Sequence, residues 1–473
     1  MTDPIARQLA GFIEGCDLSV LPPPVVHRAK LYVMDTMCAV LAGVSTPSSR
    51  IVTDLVETLG GIEACTVVGQ SFRTSPTGAA LANGTIGHAV EIDDDHRTSV
   101  VHPGTVVVPA ALAMAEYSGV GGKGFLEGVI AGYEVMTRLG DAFLGKQYDE
   151  GFHPTGPSGV FGAAAAASRI LGFSGDRLVA ALGIAGTQAA GLQEWKADGS
   201  WIKRLNAGKA AESGVLAAML AARGFTGPDT IIEGKYGFLK AFSFERTWNT
   251  DLITRDLGTE FRGCGTSFKP YACCRFCHQL IDAVLDLVEA NNITAGDISE
   301  GMVRIYRTGY MQLFEPAGPC YQPRTVVDAQ FSIPYVTAIA VLYGRPLPHH
   351  FTDAMITDPE VLALAARVKG VPDDDFETAF PERYPTEVTF RLGDGRTVSR
   401  FTDLPSGDPA NPIYIDDPDR FDREIETKFR TLMATIPGYE DRTDAVIETI
   451  AGLDSLVKAS DLARLFTPDR GYR

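Results

Sequence analysis

Small residues on apolar helical stretches constrain the fold of this chain more than any other feature. Runs such as "GVFGAAAAASRILGF", "SGDRLVAALGIAGTQAAGL" and "GKAAESGVLAAMLAARGF" combine Ala and Gly with apolar residues at helical spacing. A longer run, "PPVVHRAKLYVMDTMCAVLAG", repeats apolar residues three and four positions apart and ends at Gly43. Helices so rich in small residues can approach one another closely. The pattern therefore predicts a large buried bundle of helices.

From residue 266 the pattern changes to a mixture of helices and strands. "HQLIDAVLDLVEANN", "DAQFSIPYVTAIAVLYG" and "DPEVLALAARVKG" predict helices, whereas "EGMVRIYRT" alternates like a strand. "TEVTFRLGDGRTVSRF" predicts a hairpin that turns at Asp394 and Gly395. We therefore predict a mainly α protein. Its large all-α domain spans residues 1–265 and is completed by residues 405–473 folding back, and a smaller α+β lid domain spans residues 266–404.

Charge and terminal sequence exclude several classes of protein. The net charge of -17 argues against binding to nucleic acid, and it means that an anionic substrate would need a locally basic pocket. The first residues resemble neither a secretory signal nor a transit peptide. No apolar run reaches the roughly 18 residues of a membrane span. We therefore predict a cytoplasmic protein with no membrane partner.

One segment, "NGTIGHAVEIDDDHRTSVVHPG", is far richer in ionisable side chains than an ordinary turn. It carries His88, Glu91, Asp93, Asp94, Asp95, His96 and His102 just before a predicted helix. Three interpretations compete. The segment could bind a divalent metal, it could carry acid–base chemistry in which carboxylates set the tautomer of a histidine, or its acids could cap the helix and pair with Arg97.

Basic residues follow at three further places. In "GFHPTGPSG", His153 precedes an Ala-rich helix whose first N–H groups could bind an anion, although such a histidine is more often a cap. In "DGSWIKRLNAGKAAESG", Lys203 and Arg204 could clamp a carboxylate or form a solvated pair. In "TSFKPYACCRFCHQ", Lys269 precedes a proline, and Tyr335 lies further along in a helix that also carries Ser332.

The motif "YACCRFCHQ" contains the C-x-x-C-H spacing of covalent haem attachment, formed by Cys274, Cys277 and His278. Cys264 and Cys273 lie close enough in sequence to offer a zinc set as well. Nothing in the sequence directs export, and a second zinc knuckle is lacking. The cysteines are better interpreted as small buried hydrophobes in a reducing compartment.

Taken together, these motifs resemble the MmgE/PrpD superfamily. "NGTIGHAVEIDDDHRTSVVHPG", "GFHPTGPSGVFGAAAAASRILG", "DGSWIKRLNAGKAA", "FKPYACCRFCH" and "AQFSIPYVTAIAVLYG" occur in family order over most of the chain. The resemblance implies a large all-α domain with an α+β lid, a homodimer, and chemistry without metal or cofactor. It also implies a small polycarboxylic acid as substrate.

The resemblance also implies the site residues. His102, His153, Lys203, Lys269 and Tyr335 match the family's motif positions. We assign acid–base catalysis to His102, oriented by Asp93 or Asp94, with Lys203 and Tyr335 also in the catalytic set. The substrate-binding set is His153, Lys269, Arg275, Asp94 and Ser332.

The chemistry implied is a change of charge at the carbon α to a carboxylate. We predict a dehydratase of the 2-methylcitrate kind, with an epimerase of the iminodisuccinate kind, a cis-aconitate-type decarboxylase, or a binding homologue without turnover as alternatives. Two features count against the decarboxylase. The acidic loop before His102 is one residue longer than in that branch, and Asp95 stands where that branch has threonine.

Overall fold

The computed structural model describes residues 3–315 and 317–468. The amino-terminal half contains α1 (Ile5–Gly15), α2 (Pro23–Gly43), α3 (Pro47–Leu59), α4 (Pro76–Gly87), α5 (Gly104–Ser118), α6 (Gly122–Asp141), α7 (Lys146–Asp149), α8 (Thr155–Ile170), α9 (Gly175–Gly186), α10 (Ile202–Ala221), α11 (Phe238–Ala241) and α12 (Asp251–Thr254). Short strand pairs join β1 (Cys65–Thr66) to β2 (Arg73–Thr74) and β3 (Asp95–His96) to β4 (Thr266–Ser267). Among the helices described, none has the length and hydropathy needed to cross a membrane.

The carboxy-terminal half mixes helices with one sheet. Its helices are α13 (His278–Asn291), α14 (Arg307–Leu313), α15 (Ala317–Tyr321), α16 (Val326–Gln330), α17 (Ile333–Tyr343), α18 (Pro359–Ala365), α19 (Asp374–Glu377), α20 (Pro412–Asp416), α21 (Pro418–Met433), α22 (Thr443–Ala451) and α23 (Ala459–Leu465). Its strands are β5 (Ile298–Tyr306), β6 (Val368–Asp373), β7 (Thr386–Leu392) and β8 (Thr397–Thr402), in the order β6-β5-β7-β8. Only the β5–β6 pair within this sheet is parallel. This confirms the predicted fold class, a large helical domain followed by a domain with a small mixed sheet.

Glycine and alanine allow the central helices to pack backbone against backbone. α10 packs on α4 and α8, and α8 also packs on α6. At the crossing of α4 and α10, a Cβ added to Gly84 would lie 2.8 Å from the Cα of Gly208 and 3.0 Å from the main-chain oxygen of Thr105. The crossing matters for function because α4 leads into the acidic loop and α10 begins beside Lys203.

Replacing Gly84 with alanine is expected to destabilise the protein by about 1–3 kcal/mol, because the new methyl group would overlap main-chain atoms that cannot turn aside. The matched control is Gly11→Ala, at an exposed position of α1 with open space around it. That substitution should stabilise by up to about 1 kcal/mol through helix propensity alone. Denaturant unfolding measures both, and equal effects would contradict close packing at Gly84.

Two local predictions need correction. "DAQFSIPYVTAIAVLYG" forms two helices, α16 and α17, because the side chain of Ser332 caps the second by accepting from the N–H of Tyr335 at 3.0 Å. "DPEVLALAARVKG" is helical only through Ala365, and its last residues begin β6, which lies parallel to β5. The predicted hairpin is confirmed by the β7–β8 pairing.

The carboxy-terminal helices contact the amino-terminal bundle. α21 packs on α2, and α23 packs on α5. Lys428 of α21 donates to Asp35 of α2 at 2.6 Å and to the main-chain oxygen of Ile92 at 2.5 Å. A residue late in the chain therefore forms a hydrogen bond to the backbone of the acidic loop. The domain limits at residues 265 and 404 stay a prediction.

Candidate active site

The acidic loop between α4 and α5 lies in the protein interior. Glu91, Asp93, Asp94, Asp95 and His102 are all buried. Buried ionisable groups are costly unless they are paired or hydrogen-bonded. The β3–β4 pairing, in which Asp95 lies opposite Ser267, brings this loop next to the segment that carries Lys269. The partners of these side chains therefore define the candidate site.

Three histidines from different parts of the fold form one cluster. The ring centre of His88 lies 4.7 Å from that of His102 and 5.5 Å from that of His153, and the last two are 6.2 Å apart. His88 follows α4, whereas His153 precedes α8. The sequence motifs indicate roles for His102 and His153 but none for His88.

His102 is held in one tautomer. Its Nδ1 lies 2.7 Å from the main-chain oxygen of Asp94, which can only accept, so Nδ1 carries the proton and Nε2 keeps its lone pair. Burial, reinforced by the charge of Lys269, lowers the pKa of His102 well below its ordinary value. His102 is therefore a neutral imidazole with a free basic nitrogen.

The Asp93 carboxylate lies closer to His88 than to His102. Its Oδ2 lies 2.8 Å from His88 Nδ1 and 3.4 Å from His102 Nδ1. Burial alone would raise the pKa of Asp93, but His88 and Lys269 outweigh it and hold that pKa below its ordinary value. The carboxylate thus orients two neighbouring imidazoles. Nε2 of His88, which is buried, has no hydrogen-bond partner within the described residues.

Glu91 joins the two lysines that sequence analysis identified. The Lys203 ammonium donates to Glu91 Oε1, and Lys269 Nζ lies 3.2 Å from Glu91 Oε2. Burial would raise the pKa of Glu91, but the two ammonium groups lower it well below its ordinary value. Glu91 was quoted in the acidic segment but given no role, and its backbone lies in the left-handed region at φ 55°. One ionised carboxylate therefore holds both lysines in a single buried cluster.

Arg275 lies at the edge of this cluster, beside Asp95. Its Nε is 4.0 Å from Asp95 Oδ2 and its Nη2 is 3.7 Å from Asp408 Oδ2, while Nη1 donates to the main-chain oxygen of Ser406 at 3.1 Å. Asp95 in turn approaches His102, with Oδ1 3.9 Å from Nε2. Burial raises the pKa of Asp95 above its ordinary value. The acid that departs from the decarboxylase pattern is therefore less readily ionised than an exposed aspartate.

The structure does not bring every assigned residue to the cluster. The Tyr335 hydroxyl donates to the main-chain oxygen of His350 at 2.8 Å, and the Ser332 hydroxyl caps α17 and donates to Cys320. The Asp94 carboxylate accepts hydrogen bonds from the Tyr133 hydroxyl at 2.6 Å and from the N–H of Gly104 at 2.8 Å. Its side chain therefore binds the backbone at the start of α5. Asp94 acts on His102 through its main-chain oxygen instead.

The cysteine motif is buried. Cys273, Cys274 and Cys277 all lie in the interior, and burial raises the pKa of Cys274 to about 12. Both ring nitrogens of His278 have neighbours, namely Arg275 Nη1 and the main-chain oxygen of Cys273, each at 3.3 Å. Within the described part of the chain these residues form no group with metal-ligand spacing.

A metal could instead be held by the three histidines of the cluster. One ligand atom from each of His88, His102 and His153 lies within 4.8 Å of the others, and the Asp93–His88 contact is typical of a metal ligand and its supporting carboxylate. The ammonium groups of Lys203 and Lys269 oppose a divalent cation there. Elemental analysis of the purified protein measures whether a metal is bound there.

The same three histidines predict how stability depends on pH. Burial lowers the pKa of His88, His102 and His153. When the pH falls below 6.5, the ordinary pKa of histidine, these side chains therefore bind protons in the unfolded chain but stay neutral in the folded protein. Their contribution to stability is complete above about pH 6.5 and is lost as the pH falls. We expect the melting temperature to decline between about pH 7 and pH 5, and less steeply in His88→Asn than in the exposed control His27→Asn. A flat profile would contradict neutral buried histidines.

A helical protein that buries two lysines and a neutral histidine in one cluster has the features of an enzyme active site. The chain belongs to the MmgE/PrpD family. The model of the MmgE/PrpD N-terminal domain matches residues 7–251, and that of the C-terminal domain matches residues 271–452. The resemblance found in the sequence motifs is thereby confirmed.

Curated relatives match over nearly the whole chain. Identity is 29% to "Cis-aconitate decarboxylase-like protein oryM" of Aspergillus oryzae, over 98% of this chain and 97% of the relative. Identity is 26% to cis-aconitate decarboxylase of Aspergillus terreus, over 94% of this chain and 92% of the relative. Identity is 23% to mitochondrial 2-methylcitrate dehydratase of Yarrowia lipolytica, over 90% of this chain and 85% of the relative. The homodimer and the cytoplasmic location stay predictions.

Proposed function

We propose that this protein is a lyase that acts on a small tricarboxylic acid, and that decarboxylation of an acid of the cis-aconitate kind is its reaction. The observation that carries the proposal is the buried cluster in which neutral His102 lies near enough to the ammonium groups of Lys203 and Lys269 for their charges to lower its pKa. The relatives named as decarboxylases support loss of carbon dioxide over the loss of water that the sequence motifs favoured.

The charged side chains of the cluster favour binding of a polyanion. Lys203, Lys269 and Arg275 supply three cations, whereas the carboxylates whose pKa is held low are Glu91 and Asp93. Because burial raises the pKa of Asp95, that residue can take a proton when a carboxylate binds beside it. The departure at Asp95, which counted against a decarboxylase, therefore need not repel the substrate.

In the proposed reaction the bond between one carboxylate carbon and the chain of the acid breaks, and carbon dioxide leaves. The electron pair of that bond moves through the adjacent double bond to its far carbon, which takes up one proton. Lys203 and Lys269 stabilise the negative charge as it spreads. His102 supplies the proton, because an anion bound beside the imidazole raises its pKa and lets it enter the reaction protonated. A tricarboxylate thus becomes a dicarboxylate.

Dehydration is the second candidate, and the tautomer of His102 favours it. Nε2 carries a lone pair in the unliganded site, so His102 can remove a proton from the carbon α to a carboxylate at once. The hydroxyl group on the neighbouring carbon then leaves as water after taking up a proton. The Yarrowia lipolytica relative, named as a 2-methylcitrate dehydratase, supports this alternative.

Proton NMR in D2O with cis-aconitate and with 2-methylcitrate separates the candidates. Loss of cis-aconitate with release of carbon dioxide and uptake of one deuteron would support decarboxylation. A new alkene formed from 2-methylcitrate without carbon dioxide would support dehydration. Iminodisuccinate tests the epimerase by exchange with inversion. No reaction with any of these acids would overturn the proposed function and leave a protein that binds carboxylates without turnover.

A further inference from the structure

Lys196 is a cation that forms no ion pair with a carboxylate among the described residues, although the charge of Asp149 acts on it from a longer distance. Its ammonium contacts two neutral amide oxygens, Oε1 of Gln193 and Oε1 of Gln312. No acidic side chain in residues 3–315 and 317–468 comes within ion-pairing distance of it. Burial lowers the pKa of Lys196 to about 7, with Lys203 acting in the same direction and Cys274 and Asp149 opposing it. A partly buried ammonium held only by neutral oxygens is suited to receiving an anion.

Trp195 connects this lysine to the candidate active site. The Trp195 ring lies 5.5 Å from Lys196 Nζ and 5.9 Å from Lys203 Nζ. It also packs on Phe331 at 4.7 Å between ring centres, and Lys203 Nζ lies 5.2 Å from the Phe331 ring. Lys196 and Lys203 therefore border the same buried aromatic ring, which places a further cation next to the site.

The indole N–H of Trp195 is a further donor, one residue before Lys196. Trp195 is buried, and its indole N–H forms no hydrogen bond within the described part of the chain. A buried donor without an acceptor is costly, which points to a water or a ligand oxygen at this position. Tyr148, whose ring centre is 4.4 Å from Lys196 Nζ, packs beside the ammonium. The surroundings thus combine a cation and a free N–H donor.

We propose that Lys196 is a specificity-determining residue that binds a carboxylate which does not react, and so selects tricarboxylates over dicarboxylates. The inference rests on the proposed function, since it takes the acid bound near Lys203 and Lys269 as the substrate. Lys203 and Lys269 share Glu91, whereas Lys196 forms no ion pair within the described residues, where Asp149 acts on it only from beyond ion-pairing distance. Lys196 can therefore pair with the third carboxylate of the substrate. Gln312 belongs to α14, so an acid bound at Lys196 also touches a position where the two halves of the chain meet.

The test is calorimetric binding of unreactive acids to the full-length protein. Propane-1,2,3-tricarboxylate is compared with methylsuccinate and glutarate, each of which lacks one carboxylate of the tricarboxylate. Lys196→Met should weaken binding of the tricarboxylate at least about ten-fold and leave the better-bound dicarboxylate little changed, with Lys196→Arg in between. The matched control is Lys209→Met, an exposed lysine of α10 paired with Glu212.

A second readout separates binding from a structural role. Without ligand, Lys196→Met should melt at the same temperature as the parent protein or higher, because it removes a poorly compensated buried charge. A drop of several degrees would show a structural cation and overturn the proposal, as would equal weakening of all three acids or none. Binding that depends on Lys196 without turnover of any acid would refute only the proposed function. If the parent protein binds none of the three acids, the proposal for Lys196 fails, whereas the proposed function is still decided by turnover in the NMR assay.

Discussion

Replacing His102 with asparagine is expected to lower kcat for the proposed substrate about 1,000-fold, because general acid–base catalysis by a positioned side chain is worth about 100- to 10,000-fold. Asparagine can still donate to the main-chain oxygen of Asp94, as Nδ1 of His102 does at 2.7 Å. It offers no basic nitrogen in place of Nε2. Initial rates with cis-aconitate and 2-methylcitrate measure the loss, and calorimetry with propane-1,2,3-tricarboxylate should show that binding persists.

The matched control is His27→Asn, because His27 is exposed and pairs with Asp422 far from the site. Its kcat should equal that of the parent protein. Unchanged turnover in His102→Asn would remove His102 from the mechanism and leave His88 or His153 as the candidate base. Loss of binding together with turnover would instead show that His102 mainly holds the substrate.

Much of the fold could be predicted because the signals are local. Small residues at helical spacing identify α8, α9 and α10, and period-two alternation around Asp394 and Gly395 identifies the hairpin of β7 and β8. The two incorrect helix predictions arose where the apolar spacing continues past the end of a helix. Apolar spacing continues from α18 into β6, so only pairing with β5 reveals the strand. Ser332 interrupts an apolar run that otherwise has the length of one helix.

The candidate site could be predicted only in part, because its contacts join distant segments. Glu91 meets Lys203 and Lys269 across 112 and 178 residues, and no spacing in the chain indicates that pairing. Asp93 or Asp94 was expected to orient His102 with its carboxylate. The nearest acceptor to His102 Nδ1 is instead the main-chain oxygen of Asp94 at 2.7 Å, while Asp93 Oδ2 lies 3.4 Å away. Whether a residue acts through its side chain or its backbone depends on the path of the loop, which composition does not encode. Composition likewise does not indicate that the Tyr335 hydroxyl donates to the main-chain oxygen of His350.

Replacing Lys203 with methionine is expected to lower kcat/KM about 100- to 1,000-fold, the usual cost of losing one charged donor to a developing anion. It should also destabilise the protein by about 1–3 kcal/mol, because Glu91 loses one of two buried partners. Lys269 remains 3.2 Å from Glu91, so the protein should still fold. Steady-state kinetics and denaturant unfolding measure the two effects, with Lys209→Met on the same helix as the control expected to change neither. Full activity in Lys203→Met would contradict the proposed role.

A double variant separates the two roles of Lys203. Adding Glu91→Gln to Lys203→Met replaces the ionised carboxylate with a neutral amide, so the charge imbalance left by the missing lysine disappears. If Lys203 only neutralises Glu91, the double variant should regain both stability and activity. If Lys203 also binds the reacting anion, stability should return while kcat/KM stays low, because the lost ammonium cannot be replaced by an amide that remains near Lys269. The second outcome is the one expected, since Lys203 and Lys269 share a single carboxylate and so retain positive charge for a substrate.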